Sequence, residues 1–133
     1  MVAMNQLFQF YKKTKMKYNL NFNRLPQGNP IIEGNGKNEQ FISIFIEKWN
    51  TPYKVEVLLE YLNMIDLEMK DHEDYNDILE NGIYDDVHSN IFFKDKKVQV
   101  QFNNEMSDEI ELHDFIDIVN NWKIFINNMN QNN

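Results

Sequence analysis

The run Asp71-His72-Glu73-Asp74, with Asp77 three residues further on, brings carboxylate oxygens and an imidazole together in one short stretch of the chain. Hard cations take such carboxylates. A calcium loop, however, alternates its ligands as Asp-x-Asp-x-Asp-Gly and closes on a glutamate, and this run does neither. No metal is therefore assigned. Two carboxylates can also divide acid and base roles when one is partly buried beside the other in a cleft, but these lie in polar runs where burial is not expected. His72, His88 and His113 are far apart in sequence and belong to no HExxH-like pattern. Ser43, Ser89 and Ser107 are the only serines and none sits in a Gly-x-Ser-x-Gly elbow. With no glycine-rich phosphate loop either, no cofactor is expected and the chain reads as a non-enzyme.

What these residues can do is bind. From Asp66 to Asp86 the chain carries nine acidic residues and one cation, Lys70, so nine minus one gives −8. That equals the formal net charge of all 133 residues, and everything outside the stretch sums to zero. A field so concentrated bears on partners and association rates rather than on fold. Its plain reading is a solvated surface that keeps the protein dissolved. The sharper reading is a docking face, because Tyr75, Ile78, Ile83 and Tyr84 are interleaved with the acids, and interface cores favour aromatics while charges steer encounter. On that reading the partner-binding residues are Asp71, Glu73, Asp74, Tyr75, Asp77, Glu80, Tyr84, Asp85 and Asp86. The partner would be a basic protein. Direct nucleic-acid binding needs a basic footprint, and Lys12, Lys13, Lys15, Lys17 and Arg24 are too small a set against this acidity.

The chain length suits one domain, and the aromatic supply excludes a disordered class. Without cysteine there is neither a disulfide scaffold nor a thiolate metal site. No run reaches the roughly 18–20 apolar residues of a membrane span. The first residues, MVAMNQLFQFYKKTK, place cations after the apolar positions, the reverse of a secretory signal. The expectation is a cytoplasmic protein that does not contact a membrane.

The elements that must position the acids read as follows. Residues 5–12 suit either a short helix or a strand. Tyr18, Leu20 and Phe22 alternate with asparagines as a half-buried strand, ended by Leu25-Pro26-Gln27-Gly28-Asn29-Pro30. Ile31-Ile32 leads to Gly34-Asn35-Gly36, a second turn signal and hairpin tip. Gln40 to Trp49, apolar on both alternating faces, predicts a central strand covered on each side. Thr51-Pro52 opens a helix, with Val55, Leu58, Leu59, Leu62 and Ile65 as its stripe. Tyr75, Ile78 and Leu79 predict a short helix over Glu73–Glu80, ended by Asn81-Gly82, with Ile83–Asp86 as an acidic loop. Val87–Phe93 and Val98–Phe102 form a hairpin around Lys94–Lys97. Ser107 caps the last helix, or Glu111-Leu112 begins it directly, and Leu112, Phe115, Ile116, Val119, Trp122 and Ile126 make its stripe. The fold class is α+β, a mostly antiparallel β-sheet packed by two amphipathic helices over about 54–66 and 111–127, in a single domain with a frayed tail at 127–133. The core is expected to form without the acidic stretch, whose apolar residues are few.

The segments FISIFIEKWNTPYKVEVLLEYL, the acidic loop at Asn81-Gly82, NIFFKDKKVQVQF and EMSDEIELHDFIDIVNNWKIFI together resemble the small immunity proteins of bacterial polymorphic-toxin and contact-dependent inhibition systems. The resemblance implies a cytoplasmic, non-catalytic protein that binds a cognate toxin domain tightly, and a basic nuclease would complement Asp66–Asp86. The mechanism it implies is occlusion. The alternative is an acidic interaction or regulatory module of a phage or mobile element that mimics nucleic-acid charge and has no toxin partner.

Overall fold

The computed structural model describes residues 17–86 and 88–131, with backbone alone at Asp86 and Gln131. The readings of residues 5–12 and of Lys12, Lys13 and Lys15 lie outside them. Strands β1 (Asn21–Arg24) and β2 (Pro30–Glu33) form an antiparallel two-stranded sheet. Helices α1 (Lys37–Ile46), α2 (Pro52–Asp66) and α3 (Tyr75–Asn81) follow. Then come β3 (Ile83–Asp86), β4 (Ser89–Lys94), β5 (Lys97–Phe102), β6 (Glu105–Met106) and β7 (Ile110–Glu111), and finally α4 (Leu112–Gln131). The second sheet is an antiparallel meander, β3-β4-β5-β6, with β7 also paired to β5. The fold is α+β, and one contiguous core joins all the helices to the inner face of the meander.

Gln40–Trp49 is the main departure from the sequence reading. It forms no central strand; its residues 40–46 lie in α1 and pack on β2, β4 and β5. Phe41, Ile42, Phe45 and Ile46 recur at helical spacing and are buried. Ser43, buried with them, satisfies its hydroxyl by donating to the Glu39 carbonyl one turn back, at 2.8 Å. Gly34–Gly36 is accordingly no hairpin tip. The hairpin turn is Leu25–Asn29, closed by hydrogen bonds from Leu25 N–H to Asn29 O and from Gly28 N–H to Leu25 O. Gly36 instead caps α1 without a side-chain bond.

Helix α2 begins as its sequence dictates. The Lys54 amide donates to Thr51 Oγ1 at 3.1 Å, with Pro52 at the first helical position. Val55, Leu58, Leu59, Leu62 and Ile65 are buried, and α2 lies along α4, where Lys123 pairs with Glu56. Helix α4 starts at Leu112, whose N–H donates to the Lys96 carbonyl, and it continues through Asn127–Gln131, where the sequence reads as a frayed tail. Ser107 is no helix cap. It is buried beside β5, where its Oγ accepts from Val100 N–H at 2.9 Å and donates to the Asp108 carbonyl at 2.8 Å. It bridges the gap between β6 and β7.

The hairpin around Lys94–Lys97 forms, its first strand starting at Ser89 rather than Val87, which lies outside the described residues. Asp95 and Lys96 both have positive φ, +52° and +62°, the two-residue turn whose twist matches the flanking strands. Asn103 and Asn104 repeat that conformation between β5 and β6. Ile91, Phe93, Val98 and Val100 point inward. Residues 83–86 are an edge strand rather than a loop, with Ile83 opposite Ile91 and a register shift before Asp86.

Candidate functional site

Sequence makes the acidic connection look loose; its hydrogen bonds show otherwise. Helix α2 ends in a Schellman motif. The Met69 N–H donates to the Met64 carbonyl at 3.1 Å and Glu68 N–H to Ile65 O at 3.2 Å. The reversing residue is Glu68, at φ +52°, where glycine is usual. Turns then carry the chain onward, His72 N–H to Met69 O at 3.0 Å and Tyr75 N–H to His72 O at 3.1 Å. Left-handed backbone costs an L-residue roughly 1–2 kcal/mol, and glycine's extra unfolded-state entropy takes back part of that. Glu68→Gly is therefore expected to raise the unfolding free energy by about 0.5–1 kcal/mol, read as a higher urea midpoint at unchanged slope.

Helix α3 then docks through Tyr75 and Ile78, each 6% exposed, and Ile83 of β3 follows them into the core. This corrects two expectations. Tyr75 is a core residue rather than an exposed anchor, and the acidic stretch is part of the core, to which it contributes Tyr75, Ile78 and Ile83. Asp71, Glu73, Asp74, Asp77 and Glu80 are all exposed around it. Residues 67–82 hold six acids and one cation, Lys70, so six minus one leaves −5. Among the described residues none of the six is ion-paired; Asp77 Oδ1 accepts only from the uncharged Asn81 amide, at 2.8 Å.

The remaining acids of the stretch lie in other surroundings. Asp66 is tied to His113 Nε2 at 2.9 Å and to Lys96 Nζ at 3.7 Å, and Lys96 also donates to its carbonyl. These contacts join the end of α2 to the β4–β5 turn and the start of α4. Tyr84, 62% exposed, and the half-buried Asp85 line an open cleft with Lys48, Trp49, Asn50 and Lys54. Asp85 thus shares its cleft with two lysines. For Asp86 only the backbone is described, as the end of β3. The single acidic field drawn from charge counting is therefore two regions, one acidic from Glu68 to Glu80 and one mixed around Tyr84.

Between the second half of α2 and the connection runs a groove of about 490 Å³, lined by Glu60, Tyr61, Asn63, Met64, Met69, His72 and Asp74. Only Asp74 of these was singled out as a binding residue from sequence. For Glu60 the available signal is its place off the apolar stripe of α2, on the side that faces water. Asp74 stands at the helix-capping position of α3 but makes no side-chain cap bond, so its carboxylate is not held by the helix. His72 Nδ1 accepts from the Asp74 N–H at 3.1 Å, which leaves Nε2 to carry the ring proton.

A second cluster of carboxylates surrounds Tyr18. Burial, and then Asp114, Glu39, Asp108 and Glu111, push its phenol above the usual tyrosine range. Lys17 pairs with Asp114 at 3.6 Å, and Asn38 exchanges hydrogen bonds with Asp108, 3.2 Å from Nδ2 to the carboxylate and 3.0 Å from the Asp108 N–H. These acids brace α1 against the approach to α4. Among the described residues no three His, Cys, Asp or Glu side chains group as a metal-holding set, and no helix is long and apolar enough to cross a membrane. No family model matches the chain, and no curated protein or solved structure matches it either.

Proposed function

We propose that this chain is a non-catalytic binding protein that neutralises a basic protein partner by occlusion, in the manner of an immunity protein acting on its cognate toxin domain. One observation carries the reading. The exposed carboxylates from Glu68 to Glu80 are mounted on a segment whose own apolar residues, Tyr75 and Ile78, are locked in the core. A solubilising loop needs charge but no fixed geometry. Here the charges are held by a Schellman turn, successive backbone bonds and a docked helix. Such preorganisation lowers the ordering cost of association. Uncompensated like charge raises self-repulsion, and an electrostatic field steers a complementary surface into contact.

Basic proteins encoded beside this chain, above all nuclease-type toxins, are the partners to test by co-expression and rescue of growth. Reversing Asp71, Glu73, Asp77 and Glu80 to lysine is expected to lower the association rate about 100-fold at low salt and to abolish rescue. The circular dichroism spectrum should hold and the urea midpoint should move little, because all four side chains are exposed and the one bond lost, from Asn81 to Asp77, is at the surface. Association of the parent protein should also slow as salt rises. Full rescue by the reversed protein would remove the acidic face from the mechanism.

A further inference from the structure

We propose that the groove between α2 and the 69–74 connection is the seat of one arginine side chain from the protein partner. The inference rests on the reading of the acidic connection as a docking surface and gives that surface its point of specificity.

The lining of the groove selects the occupant. Its two formal charges are Glu60 on α2 and Asp74 at the head of α3, and neither is ion-paired among the described residues. The rest of its lining is the buried Met64, the more exposed Met69, the half-buried Tyr61, the uncharged Asn63, and His72, whose Nδ1 is occupied by the Asp74 amide. A volume of about 490 Å³ lies within the range of ligand clefts. Carboxylates contributed by two different elements suit a planar group that offers several N–H donors in fixed directions. Tyrosine offers a face on which such a cation stacks, and methionine adapts to an aliphatic stem. Arginine combines these three properties; lysine offers a point charge without the plane.

The groove is also preformed. Met64 and Met69 are the two residues joined by the Schellman bond, so the turn that ends α2 fixes the groove floor. Small anions are repelled by Glu60 and Asp74, and a purely apolar ligand would leave both carboxylates unpaired as they lose water.

The test uses the intact, isotope-labelled protein and L-argininamide as probe, followed by amide and methionine-methyl NMR shifts. The expected result is saturable shifts confined to residues 60–64 and 69–74, weaker for L-lysinamide. Glu60→Gln together with Asp74→Asn should weaken binding about fivefold, the scale of exposed charge pairs. Asp77→Asn together with Glu80→Gln should leave it unchanged. Shifts spread evenly over the acidic surface, or insensitive to Glu60 and Asp74, would overturn the proposal. The two readings fail separately. If rescue depends on Asp77 and Glu80 but argininamide ignores the groove, the docking surface stands and the arginine seat does not. If argininamide binds the groove but reversal of the acidic face spares rescue, the groove has affinity for an arginine side chain without a part in docking, and the proposal that a partner fills it is overturned.

Discussion

Replacing Trp122 with alanine is expected to lower the unfolding free energy by about 4 kcal/mol, a large share of the 5–15 kcal/mol typical of a domain. Trp122 is the largest fully buried side chain in the core. Its ring meets Phe22 edge-on at 5.3 Å and stacks on Phe125 at 5.8 Å, so it joins α4 to the β1–β2 sheet. Its Nε1 donates to the Trp49 carbonyl at 2.8 Å, in the loop between α1 and α2. Alanine removes the packing, leaves a cavity and strands that carbonyl. Trp122→Phe separates the terms. It keeps most of the apolar volume and loses the hydrogen bond, so about 1–2 kcal/mol should go. Urea unfolding at constant slope measures both. An alanine variant within about 1 kcal/mol of the parent would show that the surrounding aromatics collapse into the space, contrary to the packing argument.

The parts of this fold that were legible in the sequence are those with one buried face. Helices α2 and α4 each bury a stripe and wet the opposite side, so apolar spacings of three and four stand out. Strands β4 and β5 bury one face of an alternating pattern, and their turn is short. Helix α1 hides because nearly all of Phe41–Ile46 is occluded, with only Ile44 half-exposed. Once most faces are buried, periodicity disappears, and β-branched and aromatic residues imitate a strand. The arbiters were length and the glycine before Lys37. Strand β3 was illegible for another reason: it is 4 residues long and exists through its pairing with β4. For Tyr75, spacing gave the helix but could not say which side the helix buries.

Charge counting has the same limit. It located the acidic excess correctly along the chain but could not see what tertiary contacts bring to it. Asp66 meets Lys96 and His113 from 30 and 47 residues away, and Asp85 shares its cleft with Lys48 and Lys54. What remains after those neighbours are counted is the Glu68–Glu80 surface, smaller than the original stretch and better ordered.

The geometry of that surface depends on Gly82. Gly82→Ala is expected to destabilise the protein by about 3 kcal/mol or more, the sum of a backbone only glycine adopts and an overpacked contact. Gly82 sits at φ +80° and ψ −171°, between the end of α3 and the start of β3. A Cβ there would lie 2.1 Å from the Ile91 carbonyl oxygen and 3.1 Å from its carbon. Ile91 belongs to β4, inside the sheet and fully buried, so its backbone cannot yield as a flexible side chain would. Relief must come from α3 or from the β3–β4 pairing. Either movement displaces Asp77 and Glu80 while changing no charge. In conditions where Gly82→Ala is still folded, association with a basic partner should therefore weaken, with its salt dependence retained. The lysine reversals should do the converse, removing the salt dependence at nearly unchanged stability. An alanine variant that unfolds at the parent's urea midpoint would contradict the close approach to Ile91. One that loses stability yet associates at the parent's rate would show that net charge suffices, without the fixed arrangement that α3 provides.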